Sequence, residues 1–262
     1  MACRGVSLLG KEVEVRTVAL HYRIDLTTSL HIGTGIGFAR MVDDTVCRAG
    51  PELGSEVRLP CIPGSSLKGK VRSRCEALAR SFELHLCDKG GRVCKRHPCI
   101  ICRLFGSAYT PGRLRFADAL LTEPWRLLAR PESSQEAAMA HEPFALSTVR
   151  MGNKLERATR TVEQEFLFSL EHTADQLQFA GSIHGHLEDR RIAGETLVLP
   201  AEAWLLLVGL QLVDKLGGGR SRGLGRCRIT VSHLSIDGGE NMIDSLPHDE
   251  CLLGLNDYET SD

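Results

Sequence analysis

The sequence predicts an α+β fold built on a ferredoxin-like core, the strand–helix–strand–strand–helix–strand order also used by RNA-recognition domains. Three observations carry this prediction. Tyr22, Ile24 and Leu26 alternate with polar residues ahead of a helix-spaced apolar stripe. Two further strand-like runs precede a second, almost wholly apolar helix. A last alternating strand, with Cys227, Ile229 and Val231 against Arg226, Arg228 and Thr230, closes the chain's body.

Taken in order, residues 13–28 read as one or two strands. Residues 33–60 are glycine-rich and weakly periodic, and form a long loop. The run Ile62-Pro-Gly-Ser-Ser-Leu-Lys-Gly-Lys-Val-Arg72 then turns at Pro63-Gly64 and starts a helix capped by Ser65 or Ser66. Leu67, Val71, Cys75, Leu78 and Phe82 give that helix, over about 66–84, its buried stripe. A cysteine-rich insert occupies residues 85–102, and residues 113–118 alternate as a strand. Prolines 124, 131 and 143 make residues 124–145 irregular. The polar, basic stretch 147–164 adjoins strand-like segments 165–170 and 177–183, which follow it, as a long hairpin projecting from a sheet would. Pro200 opens the second helix and Gly217 closes it. Residues 1–236 therefore read as one domain, followed by an acidic, flexible tail over 237–262.

The formal charge of −1 hides an asymmetry, because residues 237–262 hold eight acidic side chains and no lysine or arginine. The remainder carries 32 basic against 25 acidic residues, a body near +7 that suits a polyanionic partner. No apolar run reaches the roughly 18 residues of a membrane span, and the N-terminus lacks the apolar run of a signal peptide. A cytoplasmic protein is expected, with its ten cysteines free or metal-bound rather than paired.

The segment around Gly64 and Gly69-Lys70 satisfies phosphate-loop spacing, but Val71 stands where such a loop needs Ser or Thr for magnesium. That disfavours a stand-alone nucleotide-binding enzyme. Lys68, Lys70, Arg72 and Arg74 lie off the buried stripe near the helix start, where free N–H groups and cations make a phosphate-backbone site. Gly217-Gly-Gly-Arg-Ser-Arg-Gly-Leu-Gly-Arg226 is a second such candidate: its glycines permit close approach, and Arg220, Arg222 and Arg226 supply charge. Arg150, Lys154, Arg157 and Arg160 make the central hairpin basic. Cys87-x6-Cys94-x4-Cys99-x2-Cys102 has zinc-ligand spacing, with His85 and His97 as possible substitutes, and the ion would be structural. Cys61, Cys75 and Cys227 sit in apolar patterns and read as core. Asp43 and Asp44, in Met41-Val-Asp-Asp-Thr-Val-Cys-Arg48, could hold a divalent ion or activate a 2′-hydroxyl. His31 reads as a packed or hydrogen-bonded histidine.

Four of these features resemble the repeat-associated mysterious protein (RAMP) superfamily of CRISPR systems, and most closely the backbone subunits of type III effector complexes. They are Leu30-His-Ile-Gly33, the Pro-Gly-Ser-Ser helix start, Cys102-Arg-Leu-Phe-Gly106 and the glycine-rich loop, in the family's order. The resemblance implies a core that polymerises with copies of itself and other RAMP-type subunits along a CRISPR guide RNA. A thumb hairpin, about residues 146–163 here, would displace bases at intervals. It also implies that an aspartate in the long loop cleaves the paired target RNA with Mg2+ or Mn2+. Asp43 fits the family's Asp-x-x-Val pattern and is the first choice, with Asp44 second. His31, Ser65, Ser66, Lys68, Lys70, Arg72, Arg150, Lys154, Arg157, Gly218, Gly219, Arg220 and Arg222 are then the expected RNA contacts. The cysteine insert resembles the zinc-bearing variants of the family. Two other readings stand beside this one. One is a non-catalytic guide-binding scaffold, and the other a metal-independent guide-maturation ribonuclease using a histidine such as His31.

Overall fold

The computed structural model describes residues 14–38, 42–50, 58–87, 98–128, 146–156, 158–189 and 200–241. One long strand, β1 (Glu14–Leu26), organises them, because its even-numbered residues Val18, Leu20, Tyr22, Ile24 and Leu26 all point into the core. It is followed by β2 (Cys61–Ile62), α1 (Gly64–Ser81), α2 (Ile100–Phe105), β3 (Leu114–Phe116), β4 (Ala119–Leu121) and α3 (Glu123–Leu128). Next come β5 (Ser147–Leu155), β6 (Val162–Thr173), β7 (Gln178–Asp189), α4 (Ala201–Gln211), β8 (Cys227–Ile236) and β9 (Gly239–Asn241).

Seven strands form one antiparallel sheet in the order β2-β4-β7-β1-β8-β9, with β3 also pairing along β7. β1 is thus flanked by β7, the strand before α4, and by β8, the strand after it. β5 and β6 form a separate two-stranded ribbon, from Ser147 opposite Thr173 to Leu155 opposite Val162.

Helix α1 buries Leu67, Val71, Cys75 and Ala79 at successive turns, which is the predicted stripe with its C-terminal end rotated by one position. It packs against α4, where the Cys75 thiol donates to the Leu205 carbonyl at 3.3 Å. Helix α4 is apolar on all sides and largely buried, as predicted, apart from Glu202 and the exposed Gln211 at its end. That fully buried carboxylate accepts from Arg103 Nε at 3.0 Å and from the Glu188 backbone N–H at 2.8 Å, so one ionic cluster ties α2, α4 and β7.

Several boundaries differ from the sequence reading. Neither Ser65 nor Ser66 caps α1: Pro63 precedes the helix, and Asp118 Oδ1 accepts the Gly64 N–H at 2.8 Å. A distant carboxylate has replaced the local hydroxyl. Residues 123–128 are helical despite Pro124, because proline lacks only a donor that the first turn leaves unpaired anyway. Helix α4 stops at Gln211, before Gly217. Asp237 is part of a hairpin rather than a tail, since β9 pairs with β8 and Asp237 Oδ1 accepts the Thr17 N–H at 2.8 Å. Residues 242–262 lie outside the described residues. Among the described residues no helix is long and apolar enough to cross a membrane.

Candidate active site

Residues 29–31, residues 42–48 and the distant glycine-rich loop meet at the root of the β5–β6 ribbon. Residues 29–31 leave the end of β1 and run beside the base of β6: Thr173 N–H donates to the Leu30 carbonyl at 2.8 Å, and the Leu30 N–H to Thr173 Oγ1 at 3.0 Å. Residues 42–48 of the long loop lie along the same strand, with Asp44 bridged in parallel to Leu170. The glycine-rich loop closes the other side, its Gly218 N–H donating to the His31 carbonyl at 2.8 Å and Gly225 N–H to the Ser29 carbonyl at 2.8 Å. Gly217 sits at φ 70°, and a Cβ there would lie 2.3 Å from the His31 carbonyl oxygen, so only glycine fits this junction.

The two aspartates are held differently. Asp44 is half-buried with both oxygens engaged: Oδ1 accepts the Gly35 N–H at 2.9 Å, and Oδ2 lies 3.3 Å from His31 Nε2. His31 Nδ1 is 2.6 Å from the Glu171 carbonyl, so the imidazole links loop to strand. Asp43 is exposed. Its Oδ2 accepts the Ser169 N–H at 2.6 Å and the Ser169 hydroxyl at 3.0 Å, while Oδ1 has no hydrogen-bond partner among the described residues. One carboxylate oxygen is therefore fixed and the other faces outward.

Behind them lies a stretch of buried polar side chains, Glu171, His172 and Thr173. Burial first, and then the neighbouring His31 and Arg150 charges, push the His172 imidazole down to about 4. Glu171 is the carboxylate of this layer, bonded to the Val46 N–H, to Arg48 and to Ser147. None of Ser169, Glu171 and Arg48 was singled out from sequence. For Glu171 the available signal was the run Glu171-His172-Thr173, three consecutive polar residues after the mainly apolar 166–170; Ser169 and Arg48 had none.

The basic candidates do not form one surface. Residues 68 and 72 share one face of α1, and residues 70 and 74 share another. Lys68 Nζ donates to the Leu114 carbonyl at 3.2 Å, and Arg72 donates to Glu76 Oε1 at 2.9 Å and to the Gly106 carbonyl at 2.7 Å. Lys70 instead faces the glycine-rich loop: burial first, then the charges of Arg220 and Arg74, lower its ammonium pKa. Gly218, Gly219, Arg220 and Arg222 are exposed, the two arginines on a single 3-10 turn. Ser65 is exposed and Ser66 half-buried. Arg150 and Lys154 are exposed on β5, with Arg150 Nη2 at 3.5 Å from Ser29 Oγ. Arg157 lies outside the described residues.

A second centre is formed by Cys87, Cys99 and Cys102, whose sulfurs converge within 4.8 Å. The Cys87–Cys102 and Cys87–Cys99 sulfur separations are 3.5 and 3.8 Å. Zinc–sulfur bonds of about 2.3 Å in a tetrahedron put sulfurs about 3.8 Å apart, whereas a disulfide would need about 2.05 Å. The three thiols therefore fit zinc. Cys94 and His97, the candidates for a fourth ligand, lie outside the described residues, and His85 is not part of the cluster. Cys61 and Cys227 lie outside this cluster, and burial pushes their thiols up to about 11 and about 12.

The family model of the RAMP superfamily matches residues 23–228, which run from the end of β1 to the start of β8 and take in β2 to β7, both long helices, the ribbon and the glycine-rich loop. The chain belongs to the RAMP superfamily. This RAMP chain is 29% identical over 224 residues to the "CRISPR system Cms endoribonuclease Csm3" of Enterococcus italicus, covering 81% of this chain and 89% of that protein. It is 30% identical over 221 residues to the protein of the same name from Mycobacterium tuberculosis, covering 79% and 84%. Its fold also resembles a chain of the type III-B Cmr-beta cryo-EM structure of the apo state, with a TM-score of 0.50 at 15% identity over 81% of this chain and 96% of that one.

Proposed function

We propose that this RAMP protein is a guide-RNA-binding backbone subunit of a cytoplasmic type III CRISPR effector complex, and that it cuts complementary target RNA at regular intervals. The observation that carries the reading is Asp43: an exposed carboxylate with one oxygen fixed by Ser169 and the other turned outward, at the root of a basic ribbon. The relatives named as endoribonucleases support cleavage, and the strand order supports a ferredoxin-like core; the cysteine insert, the long loop and the β5–β6 ribbon would be its zinc insert, catalytic loop and thumb.

In this reading the guide runs past the glycine-rich loop, Lys70 and Arg220. The exposed Gly218 and Gly219 would let a backbone approach closely, and the cations Lys70 and Arg220 would recognise its phosphates rather than sequence. The ribbon, with Arg150 and Lys154, is the thumb that separates successive stretches of the duplex. The outward oxygen of Asp43 can take a proton from a 2′-hydroxyl or help hold Mg2+ or Mn2+. A divalent ion bound there would stabilise charge on the scissile phosphate. The Cys87, Cys99 and Cys102 cluster would hold structural zinc and pin the insert to α2.

One specific observation favours a second reading, a non-catalytic scaffold: the two Ser169 contacts would suit an aspartate whose only task is to fasten the loop. A metal-independent ribonuclease using His31 is disfavoured, because both ring nitrogens of His31 already face acceptors in the protein. The test is to incubate labelled complementary RNA with the reconstituted, guide-loaded complex, with and without a chelator. Evenly spaced, chelator-sensitive cuts are expected. Cutting of guide-precursor RNA by the isolated protein would support the histidine enzyme instead, and an intact target would support the scaffold.

A further inference from the structure

The long loop of the candidate site is clamped from behind by one side chain. Glu171 on β6 is fully buried, and such a carboxylate is tolerated only if its oxygens are satisfied. Here they are. Oε2 accepts the Val46 N–H at 2.9 Å, and Oε1 accepts from both Arg48 Nη2 and the Ser147 hydroxyl. Arg48 Nη2 also donates to Ser147 Oγ at 2.9 Å, and its Nη1 to the Arg58 carbonyl at 2.9 Å. The backbone of Glu171 makes two further attachments: its N–H donates to the Asp44 carbonyl at 3.0 Å, and its carbonyl lies 2.6 Å from His31 Nδ1.

The residues joined belong to three structures: Val46 and Arg48 to the loop that carries Asp43, Ser147 to β5, and Glu171 itself to β6. We propose that Glu171 and Arg48 are a positioning pair for target cleavage, locking the aspartate-bearing loop to the base of the ribbon so that the attitude of the ribbon sets the reach of Asp43. The inference rests on the cleavage reading given above. Its physical basis is that β6 is one continuous strand from Val162 to Thr173. Its outer half is the exposed ribbon, where Leu167, Val162 and, opposite Val162 on β5, Leu155 stand in solvent. Its inner half holds Asp43 through Ser169 and the loop behind it through Glu171. A displacement of the ribbon by bound RNA is carried along the strand to both grips at once. Neither Glu171 nor Arg48 needs to touch RNA for this role.

The experiment uses guide-loaded complexes reconstituted with Glu171→Gln, a near-isosteric change that removes the charge. Guide loading and target affinity are expected to match wild type. The single-turnover cutting rate at saturating target should fall about tenfold or more. The divalent-ion concentration for half-maximal cutting should rise, a shift that mere loss of stability would not cause. Arg48→Lys, which keeps the charge but not the fork to Ser147, should restore part of the rate lost in Arg48→Ala. Ser147→Ala removes a single donor and covers the case in which Glu171→Gln does not assemble; a smaller fall in rate is expected. Wild-type cutting by assembled Glu171→Gln and Ser147→Ala complexes would overturn the proposal. So would a loss of cutting that only tracks loss of guide loading. Asp43→Ala is run alongside. If it is inactive while Glu171→Gln cuts normally, the positioning claim alone fails; if it cuts normally, the cleavage reading fails and the positioning claim with it.

Discussion

Replacing Gly33 with alanine would place a methyl carbon 1.9 Å from Asp44 Oδ2 and 2.6 Å from its Cγ. Real Cβ contacts essentially never fall below 3.0 Å, so the carboxylate must retreat by about 1.1 Å. It has little freedom to do so by rotating. Oδ1 is held by the Gly35 N–H, Oδ2 faces His31 Nε2, and the Asp44 carbonyl is held by the Glu171 N–H. Releasing one charge-assisted hydrogen bond costs about 1.5–3 kcal/mol, so the backbone at Asp44 is expected to give way and to carry the adjacent Asp43 with it. A misplacement of about 1 Å at a reacting group can cost about a hundredfold in rate. Gly33→Ala complexes should therefore load guide normally, since the glycine-rich loop and Lys70 are untouched, yet cut target RNA about a hundredfold more slowly. The assay is single-turnover cleavage of end-labelled target at saturating complex. Cutting at the wild-type rate would show that the loop absorbs the methyl group without moving Asp43, and would refute the reasoning.

Three other expectations follow from the same geometry. Cys99→Ser with Cys102→Ser should lose one equivalent of zinc and lower the melting temperature; a wild-type protein that is metal-free and equally stable would contradict the zinc centre. Lys70→Glu with Arg220→Glu should weaken guide RNA binding about tenfold or more and flatten its salt dependence. Lys68→Glu with Arg72→Glu should weaken it less, because those donors already serve protein carbonyls and Glu76; filter binding across a salt series separates the two, and the reverse order would contradict the division of the helix face. His172, held at about 4 against an ordinary 6.5, takes up a proton more readily in the unfolded chain, so its contribution to stability is full above about 6.5 and is lost as pH falls towards 4. His172→Asn should flatten the acid limb of melting temperature against pH, and an unchanged limb would argue against the buried neutral imidazole.

Much of the sheet and both long helices were legible because their periodicities are local. Alternation along 18–26 and the helical spacing of Leu67, Val71 and Cys75 need no knowledge of the rest of the chain. Of the short elements, β3 was legible in the alternation over 113–118, but the others were not. The helix at 123–128 hides behind Pro124, and the sharing of one β7 edge by β3 and β4 is a tertiary fact. At the site, the sequence marked the pieces but not their joints. Gly33 could be read as part of a motif, yet its reason is a carboxylate eleven residues further on, lying where its side chain would be. Lys68 and Lys70 look equivalent in sequence, but two positions on a helix point to opposite sides. Ser169 and Glu171 gave almost no signal. They act through strand pairing with a loop more than a hundred residues earlier, and only folding brings the two together.

The central claim is that Asp43, and not Asp44, carries out cleavage. Its most direct test is to reconstitute guide-loaded complexes with Asp43→Asn or Asp44→Asn and to map the cuts in a complementary RNA. The account predicts that Asp43→Asn abolishes the regularly spaced cuts while guide loading and target binding persist, and that Asp44→Asn, which perturbs the His31 and Gly35 contacts, slows cutting without abolishing it. Regular cutting by the Asp43→Asn complex would contradict it.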